Sequence, residues 1–195
     1  MQKESTVSAK VLERWSKDDI DLKKSFFGFP PFRPYQIAQS FGPHFVSQYT
    51  DNPSWPEDIV IDQYLSRISN INALSICCGF GHVERHYLKR LPFKHCHGID
   101  IAPGAIASAT EKAQKENLNL SYEVADVAEA SVNWQENTYD LIIANGALHH
   151  LKKLDFVLEK IHFALKPGGY LISNETIGAS YQDHSFRHRE LINAV

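Results

Sequence analysis

Cysteine is scarce in this 195-residue chain: there are three, two of them adjacent at Cys77 and Cys78. That excludes a disulfide framework and makes a reducing, cytoplasmic location the expectation. A basic excess is missing too. Twenty Lys and Arg against 23 Asp and Glu leave a formal charge of -3, so no field is available to hold a nucleic-acid backbone. No apolar run approaches the roughly 20 residues that span a bilayer. The opening Met1-Gln2-Lys3-Glu4-Ser5-Thr6 is polar and lacks the apolar centre of a secretion signal. Neither nucleic acid nor membrane is therefore an expected partner. No G-x-S-x-G elbow occurs, which leaves a serine hydrolase without support. There is also no internal repeat and no low-complexity tract. The length suffices for one domain with a real core.

What is present begins with two unlike segments. Residues 1–24 are polar, with a weak helical pattern around Val11, Leu12 and Trp15. Residues 26–56 mix Phe26, Phe27, Phe29, Phe32, Tyr35, Phe41, Phe45, Tyr49 and Trp55 with frequent Gly and Pro, which argues against long regular elements. Residues 1–56 therefore read as an N-terminal arm, either a lid over a site or a cover for the core. A helical stripe follows at Ile61, Tyr64, Leu65 and Ile68. From residue 73 strands and helices alternate. Strands are predicted over 74–78, 95–100, 120–125, 139–144 and 170–173, and helices over 82–90, 103–116 and 154–165. That alternation predicts a Rossmann-like, doubly wound α/β sheet of five mostly parallel strands with helices on both faces.

The most informative stretch is Leu74-Ser75-Ile76-Cys77-Cys78-Gly79-Phe80-Gly81-His82, followed by Asp100 at the end of the next apolar run. A strand, a glycine turn, a helix, a strand and an acid form the plan of a cofactor site that holds a ribose. The dinucleotide fingerprint needs a third small residue three positions after Gly81, where this chain has Glu84. A carboxylate in the first turn of that helix would repel a pyrophosphate, which disfavours NAD and FAD. A cofactor with a ribose, no phosphate and a positive centre tolerates it, and S-adenosylmethionine meets those conditions.

Residues 73–175 resemble the class I S-adenosylmethionine-dependent methyltransferases of small-molecule type. Five segments carry the resemblance in order: 74–81, Gly98-Ile99-Asp100-Ile101, Ala125-Asp126-Val127, 139–151, and Leu165-Lys166-Pro167-Gly168-Gly169-Tyr170-Leu171. It implies that residues 57–195 form an S-adenosylmethionine-binding methyltransferase domain. The backbone of Cys78, Gly79, Phe80 and Gly81 would lie under the methionine part of the cofactor. Asp100 would hold the ribose hydroxyls, with Ile101 against adenine or ribose. Asp126 would accept from the adenine amino group, with Val127 on the ring face, and Asn145 would sit beside the sulfonium. The implied activity is in-line transfer of a methyl group to a small or medium-sized acceptor. Two positions depart from the family pattern: Ser75 stands where an acid is usual, and Cys77 where a glycine is usual.

His149 and His150 are candidates for a general base, although positioning alone can drive methyl transfer. His82 and His86 have the four-residue spacing of zinc ligands but lack a third partner, and His95, Cys96 and His97 alternate along a strand, so no metal is expected. The family's sheet normally ends in two further strands, and about twenty residues follow strand five here. The expectation is a fragment, or a short form whose strand-five edge is covered by the arm, by a second copy in a homodimer, or by a missing C-terminal segment. The competing readings are a non-catalytic interaction module and a nicotinamide-dependent oxidoreductase.

Overall fold

The computed structural model describes residues 61–129 and 132–175. The N-terminal arm, its reading as a lid, and the residues past 175 lie outside the described residues. The helical stripe expected at 61–68 is a short π turn, Ile61–Leu65, closed by Ser66 N–H on the Ile61 carbonyl at 2.8 Å. Its wider winding keeps Ile61 and Leu65 buried but turns Tyr64 outward, where it meets the edge of the Tyr170 ring at 6.2 Å.

Five strands and three helices follow: β1 Ile71–Ile76, α1 His82–Leu88, β2 Phe93–Asp100, α2 Pro103–Lys115, β3 Leu120–Val124, β4 Tyr139–Asn145, α3 Leu154–Ala164 and β5 Leu165–Asn174. All five strands are parallel, in the order β3-β2-β1-β4-β5. The predicted fold is the observed one. The boundaries differ where polar residues hide pairing. Strand β1 starts at Ile71 rather than 74, because the side chain of Asn72 donates to the Thr138 carbonyl and its N–H donates to Asp140 Oδ2. Strand β5 starts at Leu165 rather than Tyr170. Leu165 pairs with Tyr139 and Tyr170 with Leu141, so Lys166–Gly169 bulges out opposite the single residue Asp140. Lys166 closes that bulge by donating to both Asp140 oxygens, at 2.7 and 2.8 Å.

Alternation along the central strands splits the core in two. Leu74 and Ile76 of β1 join Ile142 and Ala144 of β4 against Val157 and Ile161 of α3. Ile71 and Ala73 join Leu141 and Ile143 on the other face, with Tyr87 of α1 and the Ile61–Leu65 turn. Burial on both faces is why these strands read as unbroken apolar runs. Helices α1 and α3, which follow β1 and β4, pack on opposite faces. The chain order reverses between those two strands, so their carboxyl ends flank the crevice where ligands collect in such sheets.

Candidate functional site

Strand β1 ends in a turn whose backbone is left-handed at three of its five positions: Cys77 (φ 49°), Gly79 (φ 53°) and Gly81 (φ 67°). Cys77 thus adopts a conformation that favours glycine, at a cost of about 1–2 kcal/mol for a residue with a Cβ. Gly81 has no alternative. A Cβ there would overlap the Tyr122 hydroxyl and stand 2.9 Å from Arg85 Nη1.

Asp100, at the end of β2 and nearly buried, ties this turn to the sheet. Its Oδ2 accepts the Gly79 N–H at 2.8 Å, and its Oδ1 accepts the Ala102 N–H at 2.9 Å beside the start of α2. Each oxygen retains a further lone pair for a diol. Ile101 is half-buried beside it. At the end of β3, Asp126 accepts the Ala128 N–H through Oδ1 at 2.9 Å. Val127 is buried in the core shared by β1 and β4, and Phe80 packs on Ala102 and Ala105 under the Lys112 ammonium, 5.6 Å from its ring centre. Cys78 and Asn145 are half-buried. Asn145 ends β4 in register with Asn174 of β5.

The loop after β4 supplies a dyad. His149 Nδ1 lies 2.6 Å from Glu175 Oε2, while Glu175 Oε1 accepts the N–H groups of Ala147 and Leu148, both at 2.7 Å. Burial alone would raise the Glu175 pKa, but these hydrogen bonds outweigh it and hold the carboxyl below its ordinary range. His150 stacks at a tilt on His149, with ring centres 3.9 Å apart. The sequence reading named both histidines and missed Glu175. Its signal was available, because Glu175 follows the end of β5 as Asp100 ends β2.

Asp100, Asp126 and Glu175 stand at the carboxyl edge of the parallel sheet, where their charges reach the Cys77 thiol. Burial first, then the charges of these three carboxylates, push that thiol up to about 12. Beside it, among the described residues, no heavy atom lies within 4 Å of where a Cβ would stand on Gly79 or Gly146. The turns after β1 and β4 therefore leave space beside Gly79 and Gly146 among the described residues.

Residues 74–171, just over half of the chain, match the family model described as a methyltransferase domain. The chain belongs to that family. Membership makes residues 74–171 a methyltransferase-type domain, and it implies S-adenosylmethionine as the cofactor. The hybrid PKS-NRPS synthetase apdA of Emericella nidulans is 30% identical over 122 residues, which are 60% of this chain and 3% of that protein. The hybrid PKS-NRPS synthetase poxE of Penicillium oxalicum is 28% identical over 173 residues, 86% of this chain and 4% of that protein. The chain thus spans only a few per cent of the length of these curated relatives. Among solved structures, a provisional S-adenosyl-L-methionine-dependent methyltransferase of Methanococcus maripaludis matches with a TM-score of 0.57 at 17% identity, over 91% of this chain and 70% of that one. The cyclase SpnF matches with a TM-score of 0.55 at 21% identity, over 61% of this chain and 43% of that one. These two likenesses concern the fold, which unlike chemistries share.

Of the other histidines weighed as ligands, His82, His95 and His97 have structural partners. Arg85 Nη2 lies 3.0 Å from His82 Nδ1; partial burial and the Arg85 and Lys112 charges push His82 down to about 4, which keeps it neutral. His95 and His97 both reach Ser121 Oγ, while Cys96 between them is buried on the opposite face. Among the described residues no group of three His, Cys, Asp or Glu is placed to hold a metal ion. No helix of the described residues is long and apolar enough to cross a membrane.

Proposed function

We propose that this methyltransferase binds S-adenosylmethionine over the Cys78–Gly81 turn and methylates a small or medium-sized acceptor presented to His149. The observation that carries the reading is Asp100, whose two oxygens clasp the Gly79 and Ala102 N–H groups at the glycine turn while each keeps a lone pair. Three acids at the carboxyl ends of β2, β3 and β5 suit a ligand that bears positive charge, and the cofactor has both a sulfonium and an ammonium.

When bound, the cofactor supplies an electrophilic methyl whose C–S electrons leave with the sulfur. The chain's residues do the rest. Asp100 has lone pairs for the ribose hydroxyls, and Asp126 has its second oxygen for the adenine amino group. Ile101 and Val127 offer apolar surface near them, and Asn145 borders the methyl. Glu175 holds His149 through Nδ1, which leaves Nε2 as the site that takes the acceptor's proton. The geometry suits an acceptor whose O–H, N–H or activated C–H must lose a proton as the methyl arrives. Relatives named as polyketide-type synthases favour a carbon acid of polyketide character among these.

Isothermal titration with S-adenosylhomocysteine tests the cofactor site. Binding that collapses in Asp100→Ala supports the reading. Absence of binding by folded protein would instead favour a non-catalytic module, and preferential binding of a nicotinamide dinucleotide would favour an oxidoreductase.

A further inference from the structure

Beneath the glycine turn lies a carboxylate that the reaction as described does not use. Glu84, in the first turn of α1, is 0% exposed. Its Oε2 accepts the Ser75 hydroxyl at 3.3 Å, across the face of β1 that packs against α1. Its Oε1 completes no hydrogen bond among the described residues, and neither does the buried hydroxyl of Tyr122. That hydroxyl lies near enough to hold the Glu84 carboxyl lower than burial alone would, and it stands directly under Gly81. Gly98, opposite Tyr122 in the β2–β3 pairing, gives the ring its room. Next along the helix, Arg85 Nη1 donates to the Phe80 carbonyl at 2.7 Å, and its Nε lies 3.6 Å from Glu116. The turn therefore rests on a buried polar floor with Glu84 at its centre.

A buried acid is retained against a large desolvation cost, and an unpartnered one more so. Ser75 explains its place. The strand position that faces this floor lacks a carboxylate, and Glu84 brings one to the same spot from the helix. We propose that Glu84 is the positioning residue of the cofactor turn, replacing from α1 the acid absent at Ser75 and setting the turn through Ser75, Tyr122 and the neighbouring Arg85. It accepts the Ser75 hydroxyl, lies near that of Tyr122, and in its ionised form draws Arg85 to where that side chain anchors Phe80. The proposal rests on the cofactor reading for its consequence, but the floor itself can be tested without the cofactor.

The test compares the full chain with Glu84→Gln, with the double variant Ser75→Asp/Glu84→Gln, and with Tyr122→Phe. Two readouts are taken: amide hydrogen exchange of residues 78–81 without ligand, and titration with S-adenosylhomocysteine. Glu84→Gln and Tyr122→Phe should speed exchange in the turn and not elsewhere. Glu84→Gln should also weaken binding about tenfold or more, as expected for a lost hydrogen bond to a charged group. Returning the carboxylate to the strand with Ser75→Asp should restore both. Unchanged exchange in Glu84→Gln, or a folded double variant that recovers neither property, overturns the proposal. If the unaltered chain fails to bind S-adenosylhomocysteine, the cofactor reading falls, and exchange alone decides the role of Glu84.

Discussion

The Gly79 N–H donates to Asp100 Oδ2 at 2.8 Å, so the acid at the end of β2 is also the clasp of the turn after β1. Two roles expected of separate features, a flexible glycine turn and a ribose-binding acid, are one coupled unit. A ligand that adds hydrogen bonds to Asp100 meets a carboxylate already oriented by two backbone donors.

Asp100→Ala should therefore cost stability as well as binding. It leaves the Gly79 and Ala102 N–H groups without their acceptor, at about 1–3 kcal/mol each if water does not replace it. Urea denaturation should show a loss in that range, alongside the lost response to S-adenosylhomocysteine. A variant as stable as the parent would mean that the clasp contributes nothing.

The His149–Glu175 dyad should behave as a unit. His149→Ala and Glu175→Gln should each slow methyl transfer on the order of 10²-fold, with cofactor affinity retained in His149→Ala. The double variant should be little slower than His149→Ala, because Glu175 acts through the imidazole. The pH-rate profile checks the assignment. An ascending limb present in the parent should vanish in His149→Ala, and its persistence would place the base elsewhere.

Glu84 gives a pH signature of stability. Burial, opposed by its own N–H, by the nearby Tyr122 hydroxyl, by the Arg85 charge and by Ser75, pushes its carboxyl from 4.5 up to about 7. The other titratable groups facing it are Cys78 and Cys96, both raised by burial and by its charge, and Tyr122. The folded state holds this proton more tightly than the unfolded state. Its contribution is thus fully present below pH 4.5 and lost as pH rises through about 7. Relative to the parent, Glu84→Gln should gain about 3 kcal/mol between pH 4.5 and pH 8. Taking the difference between the two proteins cancels His82, which stays neutral when folded and so acts with the opposite slope. Denaturation curves at both pH values measure it, and a flat difference would contradict a raised Glu84.

Cys77 sits at a left-handed position where backbone shape, more than side-chain chemistry, sets what is tolerated. Cys77→Val should be less stable than Cys77→Gly by about 2 kcal/mol, because a β-branched residue at positive φ is strained. The thiol should resist alkylation at neutral pH in the folded protein, its pKa being pushed up to about 12 by burial and then by three carboxylates. Rapid labelling without unfolding would contradict that environment.

The order of strands and helices, the parallel sheet and the acids at strand ends were legible because they follow from local rules. Apolar runs buried on both faces mark parallel strands, and Gly and Pro mark where they stop. Helix α2 was legible from Pro103 at its first turn, and its observed end at Lys115 differs by one residue from the expected one. The Leu165 start of β5 was not, because Lys166–Gly169 reads as a break until Asp140 and Lys166 are seen to close it.

Sequence by itself determined the fold, the turn and the acids at Asp100 and Asp126, since periodicity and glycine placement act between near neighbours. Only tertiary structure decided that Glu84 lies under the turn against Ser75 and Tyr122, that Glu175 holds His149, and that Asp100 is bonded to Gly79. Those contacts join residues 9 to 38 positions apart, brought together by crossovers between strands. Burial then changes what each group does: an acid that would mark a solvated helix start becomes a buried support, its pKa pushed up to about 7, when the sheet closes over it.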